Sequence, residues 1–172
     1  MVGVKITAEN KIESANLGDS GYQLFHLSED GSRLDNYFSS DVMQVYHNFP
    51  KQCGGQNTGP AVDGFWLEHK VRDGDVIVMY SDGYADNTYI SGSYQCLEED
   101  LKDGLMTSLG KAADCLAIKA HWLGKNDDYV APFNKEWRNA IAEGDPFATS
   151  RYPSFLGPPN GGKHDDITVT VA

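Results

Sequence analysis

Hydrophobic and polar positions alternate in short runs over the first forty residues, interrupted at close intervals by turn formers. Val2 to Thr7, Ile12 to Leu17 and Tyr22 to Leu27 read as β-strands. Ala8-Glu9-Asn10, Gly18-Asp19-Ser20-Gly21 and Glu29-Asp30-Gly31-Ser32 read as their connections. Strands so closely spaced predict an antiparallel meander, with Asp30-Gly31 a hairpin turn because glycine tolerates positive φ. From Ser40 to Pro60 the periodicity stops, and Pro50, Gly54, Gly55, Asn57, Gly59 and Pro60 predict a long surface loop. The stretch Gln52 to Gly59 is glycine-rich, but neither a GK[ST] signature nor a helical pattern follows it, so it reads as plain loop rather than a phosphate cradle.

After the turn Arg72-Asp73-Gly74-Asp75, the run Val76-Ile77-Val78-Met79-Tyr80 is apolar without alternation, which predicts a strand buried on both faces. Asp82 then stands at the mouth of a central strand. From Leu97 onward, Leu101, Leu105, Leu109, Ala112, Ala113, Leu116, Ala120 and Leu123 recur at intervals of three and four, the stripe of an amphipathic helix ending at Gly124. A shorter helix is predicted over Asn134 to Glu143, with Trp137 and Ile141 on one face and Gly144 as its stop. Residues 146 to 162, with Pro153, Pro158, Pro159, Gly161 and Gly162, read as irregular surface chain. The last alternating run, Ile167 to Val171, returns to strand. Sheet, helices and a closing strand make an α+β order.

At 172 residues, 40% of them hydrophobic, the chain has the size of one domain, taken as residues 1–172. A net charge of −11 argues against nucleic acid as a partner, since that affinity comes from clustered Lys and Arg. Cys53, Cys96 and Cys115 show no CxxC spacing, so neither a zinc site nor a disulfide framework is indicated, and a reducing, intracellular compartment is the expectation. No apolar stretch approaches the roughly 18 residues a membrane span needs. The start, Met1-Val2-Gly3-Val4-Lys5, lacks the apolar core of a signal peptide, so no targeting segment is visible.

The chemistry concentrates in aspartates beside strands: Asp19 in its turn, Asp82 and Asp86 after the apolar run, and Asp165 with Asp166 before the last one. Such residues converge when strand ends are neighbours, and carboxylate oxygens suit a hard cation. Aspartate is also a common turn residue that caps nearby N–H groups, which by itself accounts for Asp19 and Asp86. Asp82 differs, because a carboxylate there is costly to desolvate without a partner, and a cation would supply one. The adjacent charges of Asp165 and Asp166 equally call for a metal or a basic neighbour. No GxSxG elbow accompanies Ser20 or Ser81, and His26, His47, His69, His121 and His164 share no ligand spacing.

At these residues the sequence resembles the metal-dependent protein phosphatase family, type 2C. Ala15 to Gly21 resembles its GDS turn, Asp75 to Asn87 its strand and DGxxD element, and Gly162-Lys163-His164-Asp165-Asp166-Ile167-Thr168-Val169 its closing motif. With Ala131-Pro132-Phe133, the chain is most similar to a small divergent branch with mitochondrial and plastid members, so the expected location is intracellular, in the cytoplasm or in a mitochondrion or plastid. The resemblance implies two antiparallel β-sheets packed as a sandwich and flanked by helices. It further implies a binuclear Mg2+ or Mn2+ centre with Asp82 and Asp165 as ligands and catalytic residues, and a weaker third metal site using Asp19 and Asp86. The reaction implied is hydrolysis of phosphoserine or phosphothreonine in a phosphoprotein substrate by metal-activated water. The DGxGG element of the family's N-terminal strands, and its phosphate-gripping arginine, have no counterpart here, so the fold is expected to be incomplete at the N-terminus. Asp63-Gly64 lies on the wrong side of the GDS turn to replace that element. The alternative is an inactive phosphatase-like binding module or truncated paralogue. A bacterial-type sporulation and stress-response phosphatase shares the acidic motifs but fits the GDS turn and Ala131-Pro132-Phe133 less well.

Overall fold

The computed structural model describes residues 1–7, 10–54, 60, 63–102, 105–151 and 160–172. In chain order the elements are β1 (Val2–Thr7), β2 (Lys11–Asn16), β3 (Gly21–Leu27), β4 (Leu34–Ser39), β5 (Gln44–Tyr46), β6 (Phe49–Pro50), β7 (Phe65–Lys70) and β8 (Val76–Tyr80). There follow α1 (Asp82–Ala85), α2 (Ile90–Glu98), β9 (Leu101–Lys102), β10 (Leu105–Met106), α3 (Leu109–Gly124), α4 (Pro132–Ala142), α5 (Pro146–Arg151) and β11 (Val169–Val171).

Two antiparallel sheets carry the structure, one in the order β1-β2-β7 and the other in the order β11-β8-β3-β4. They pack face to face through Ile12 on one side and Tyr22, Leu24 and Ile77 on the other, with Val2, Val4, Phe38 and Met79 at the margins. The Tyr22 hydroxyl crosses this layer, 2.6 Å from Ser14 Oγ and 2.8 Å from His69 Nε2. On the far face of the second sheet, Phe25, Val76, Val78 and Tyr80 pack against Tyr84 of α1, Cys96 and Leu97 of α2, and Ala112, Leu116 and Ala120 of α3. The expected α+β sandwich flanked by helices is the architecture found. On the outer face of the first sheet Trp66, paired with Ala15, is 66% exposed.

β8 explains its own apolar run. Alternate side chains serve alternate layers, Val76, Val78 and Tyr80 facing the helices and Ile77 and Met79 the other sheet, so both faces are dry. The hairpin at Asp30-Gly31 joins β3 to β4 with Gly31 at φ +70°, and the Asp30 carboxylate accepts from Ser28 Oγ, Ser32 Oγ and Ser32 N.

The meander is interrupted. β1 and β2 pair, but β2 then turns to β7 while β3 joins the other sheet beside β8. The switch lies at Gly18, whose φ of +98° is open only to glycine at low cost, and whose carbonyl accepts from Met43 N at 2.9 Å. The long predicted helix is also shorter than its stripe. Leu101 and Leu105 lie in the β9-β10 pair, and α3 starts at Leu109 after Ser108, whose Oγ accepts from Lys111 N at 3.2 Å.

The expectation of unpaired cysteines is overturned for two of the three, since Cys96 and Cys115 form a disulfide that ties α2 to α3. Packing of these helices against one sheet brings together two residues that nothing in their spacing relates. Cys53 is free and exposed. Within the predicted 40–60 loop β5 and β6 pair, and the glycine-rich residues 55–59 lie outside the described residues. The irregular segment from 146 begins instead as α5, with residues 152–159 likewise outside. Among the described residues no helix is long and apolar enough to cross a membrane.

Candidate metal centre

Asp82 is the first residue of α1, at the exit of β8, and Asp86 caps the same short helix. Four residues apart on one helical turn, the two carboxylates share a face. The partner segment, residues 160–168, is drawn against this turn by a set of hydrogen bonds. Ser81 N donates to Thr168 O at 3.0 Å, Thr168 N to Ser81 Oγ at 3.0 Å, and Ser81 Oγ to Asp166 O at 3.1 Å. Gly83 faces the Asp166 carbonyl so closely that a Cβ there would lie 2.5 Å from the oxygen. Glycine in the DGxxD element is therefore a requirement of close approach as well as of turn shape.

Asn87, fully buried, holds the other end of that segment. Its Nδ2 donates to Gly83 O and to Lys163 O, and its Oδ1 accepts from Lys163 N, each at 2.8 Å. Behind it, Gly162 lies directly on the end of α3, where a Cβ would come 2.2 Å from Leu123 O and 2.3 Å from Gly124 Cα. Both glycines of the Gly161-Gly162 pair are needed, Gly161 for its φ of +113° and Gly162 for this contact.

The result is a three-carboxylate cluster in which Asp82, Asp86 and Asp165 each offer an oxygen within 4.8 Å of the others. At its centre is the Lys163 ammonium. Nζ is 2.5 Å from Asp86 Oδ2, 2.9 Å from Asp165 Oδ2, 3.2 Å from Asp82 Oδ2 and 3.3 Å from Asn48 Oδ1, and it lies 5.2 Å from the centroid of the Phe133 ring. Asp19 stands apart from the three, lining an adjoining cavity with Asp86, Asn48, His47, Phe133 and Glu136. His164 is exposed and takes no part in the cluster.

Electrostatics follow from partial burial. Desolvation pushes the Asp86 carboxyl up to about 7 against the pull of Lys163, and desolvation together with the Asp82 charge raises Asp19. At Asp165 burial also opposes ionisation, but hydrogen bonds from Lys163 and from the Asp166 N–H leave its pKa below the ordinary value. Burial likewise works against the Lys163 charge, yet Asp86, Asp165 and Asp82 more than offset it and hold the ammonium above the usual lysine range. A half-buried, negative pocket with one cation describes all four.

The donor set is entirely oxygen, three carboxylates and an amide, which is the chemistry of Mg2+ and Mn2+ rather than of softer metals. A stand-in cation already occupies it, so the cluster fits a positively charged guest.

Comparison with known proteins agrees. No family model matches the chain. It is 32% identical over 162 residues to "Probable protein phosphatase 2C 71" of Oryza sativa subsp. japonica, an alignment that covers 94% of this chain and 30% of that protein. It is 29% identical over 175 residues to the human "Protein phosphatase PTC7 homolog", covering 95% of this chain and 49% of that one. The structure of the photosystem II phosphatase PBCP superposes with a TM-score of 0.74 at 24% identity, over 99% of this chain and 61% of the other. Over nearly its whole length the chain is similar to type 2C protein phosphatases. It spans less than two thirds of the length of each of these relatives.

Within the type 2C framework, the structure brings Asp82, Asp86 and Asp165 together and leaves Asp19 beside them. Sequence reasoning gave no role to Lys163, Asn87 or Asn48. Lys163 was within reach, since two adjacent acids at 165 and 166 call for a positive neighbour and it is the nearest lysine or arginine in the chain. Asn87 and Asn48 carry no such signal, because their roles depend on contacts with residues 76 and 115 positions away.

Proposed function

We propose that the chain carries the acidic, cation-binding end of a Mg2+- or Mn2+-dependent protein phosphatase acting on phosphoserine and phosphothreonine. The observation that carries this reading is the convergence of Asp82 and Asp86 from one family motif with Asp165 from another. Asp82 and Asp165 would hold the ions of a binuclear centre, with Asp86 and Asp19 on the side of a weaker third site. Divalent ions held there would supply an acidified water and neutralise charge on the phosphoryl oxygens. The net reaction forms a bond from a water oxygen to phosphorus and breaks the bond from phosphorus to the side-chain oxygen, which leaves with a proton as the alcohol.

The residues of this chain contribute rigidity and charge. α1 sets the Asp82–Asp86 spacing, and Ser81 and Asn87 lock the Asp165 segment to it. Phe133 and buried His47 wall the adjoining cavity and lower its polarity, which strengthens charge interactions inside it. The test is hydrolysis of a phosphothreonine peptide and of p-nitrophenyl phosphate with and without Mn2+. Turnover that requires Mn2+ and disappears in Asp82→Asn supports the reading, and turnover indifferent to Mn2+ and to chelator rules it out.

One observation favours a second reading. Lys163 already neutralises part of the cluster, as expected of a phosphatase-like module that binds a partner without chemistry. Calorimetry separates the two, because a module of that kind takes up no Mn2+ at millimolar concentration while its fold stays intact.

A further inference from the structure

The three carboxylates that converge as candidate ligands of a divalent ion are the ones that Lys163 now holds. Nζ lies within 3.2 Å of all three, while a Mg2+ or Ca2+-sized ion needs those oxygens at about 2.0–2.6 Å. An ion bonded to those oxygens would stand where Nζ now stands between them, so that ion and the ammonium exclude each other. The lysine is also not a chance surface contact. Its side chain is only 17% exposed, and its backbone N–H and C=O are both held by Asn87, which keeps the root of the side chain beside the cluster.

We propose that Lys163 is a tethered competitor for the metal, an internal cation that must leave Asp82, Asp86 and Asp165 before a divalent ion can enter. Metal loading and lysine release are then one exchange, in which charge enters and leaves the cluster together. The exchange does two things. It keeps the carboxylates neutralised while the site waits, and it lowers metal affinity by the free energy of the lysine contacts. Loading becomes sensitive to the free concentration of the ion. This rests on the reading that the cluster binds divalent cations.

The experiment is a Mn2+ titration of the full chain by calorimetry, comparing wild type with Lys163→Met, Lys163→Gln and Lys163→Arg, and with Asp82→Asn as the ligand control. Lys163→Met and Lys163→Gln are expected to bind Mn2+ at least about tenfold more tightly than wild type, while Lys163→Arg, which keeps the charge, shows no gain. Their metal-free melting temperatures should fall below wild type, and Mn2+ should raise them by more than it raises wild type. Equal or weaker Mn2+ binding by Lys163→Met and Lys163→Gln overturns the competition and leaves the divalent-cation reading standing. Absence of Mn2+ binding in every protein overturns both. Should the neutral variants fail to fold, the wild-type protein decides. The side-chain NMR signals of Lys163 are expected to move to those of a solvent-exposed lysine as Mg2+ saturates the site, and signals unmoved at saturation overturn the proposal.

Discussion

β8 has an aspartate at each end, and the two are treated in opposite ways. Asp75, just before the strand, has a side chain only 6% exposed and is filled by donors of the chain itself. His26 Nδ1 lies 2.7 Å from Oδ2, Arg72 N donates to the same oxygen at 2.8 Å, and Leu27 N donates to Oδ1 at 3.3 Å. Asp82, just after the strand, keeps 30% exposure and shares an ammonium on a flexible stem with two other carboxylates. Fixed N–H donors make a carboxylate structural, because its lone pairs are spent in the folded state. A shared, displaceable cation leaves them exchangeable. The same residue type on one strand thus becomes a rivet at one end and a ligand at the other.

The largest effect that would break this contrast is at the ligand end. Asp82→Asn should weaken Mn2+ binding by more than the roughly 10–100-fold typical of supporting residues around a metal, with little change in the metal-free melting temperature. A variant that bound Mn2+ normally would erase the distinction. At the rivet end, Asp75→Ala strands buried donors and should cost about 2–4 kcal/mol in urea unfolding while leaving Mn2+ affinity unchanged.

Asn87→Ala probes the clamp between the two acidic segments. Loss of its three hydrogen bonds, with Lys163 N left unpaired, should cost about 2 kcal/mol by the same measurement and loosen Mn2+ binding through the displaced Asp165 segment. The smallest effect extends the comparison to Asp145, another carboxylate filled by N–H groups. Its Oδ1 accepts from Phe147 N and Ala148 N and its Oδ2 from His47 N. The Ala148 bond leads the causes that hold its pKa below 3.8. A depressed carboxyl stabilises the fold above its unfolded pKa and loses that contribution as pH falls through the folded one. Melting temperature should therefore fall further on acidification in wild type than in Asp145→Asn, with the difference opening below about pH 4.

How much of this was readable depended on the range of the interactions. The apolar run of β8 and the turn at Asp30-Gly31 are local signals, and both appear where the pattern places them. The acidic motifs were readable because each lies beside a strand. The sheet switch at Gly18 was not, since alternation marks a strand without naming its neighbour. Leu101 and Leu105 misled because a short hairpin happened to keep helical spacing ahead of α3. The Ser108 cap four residues before Ala112 is the signal that marks the true start. The Cys96–Cys115 bridge and the Asn87 clamp come from tertiary packing, which no local pattern encodes.

The bare contact between Gly162 and the end of α3 has a consequence for how this protein can vary. With backbone resting on backbone, the length of α3 acts as a ruler for the ionic centre. Adding or deleting one residue in that helix would turn its end by about 100° and shift it by about 1.5 Å. Insertions far from any aspartate, on a helix that donates no side chain to the cluster, would then detune the cation site as surely as losing a ligand.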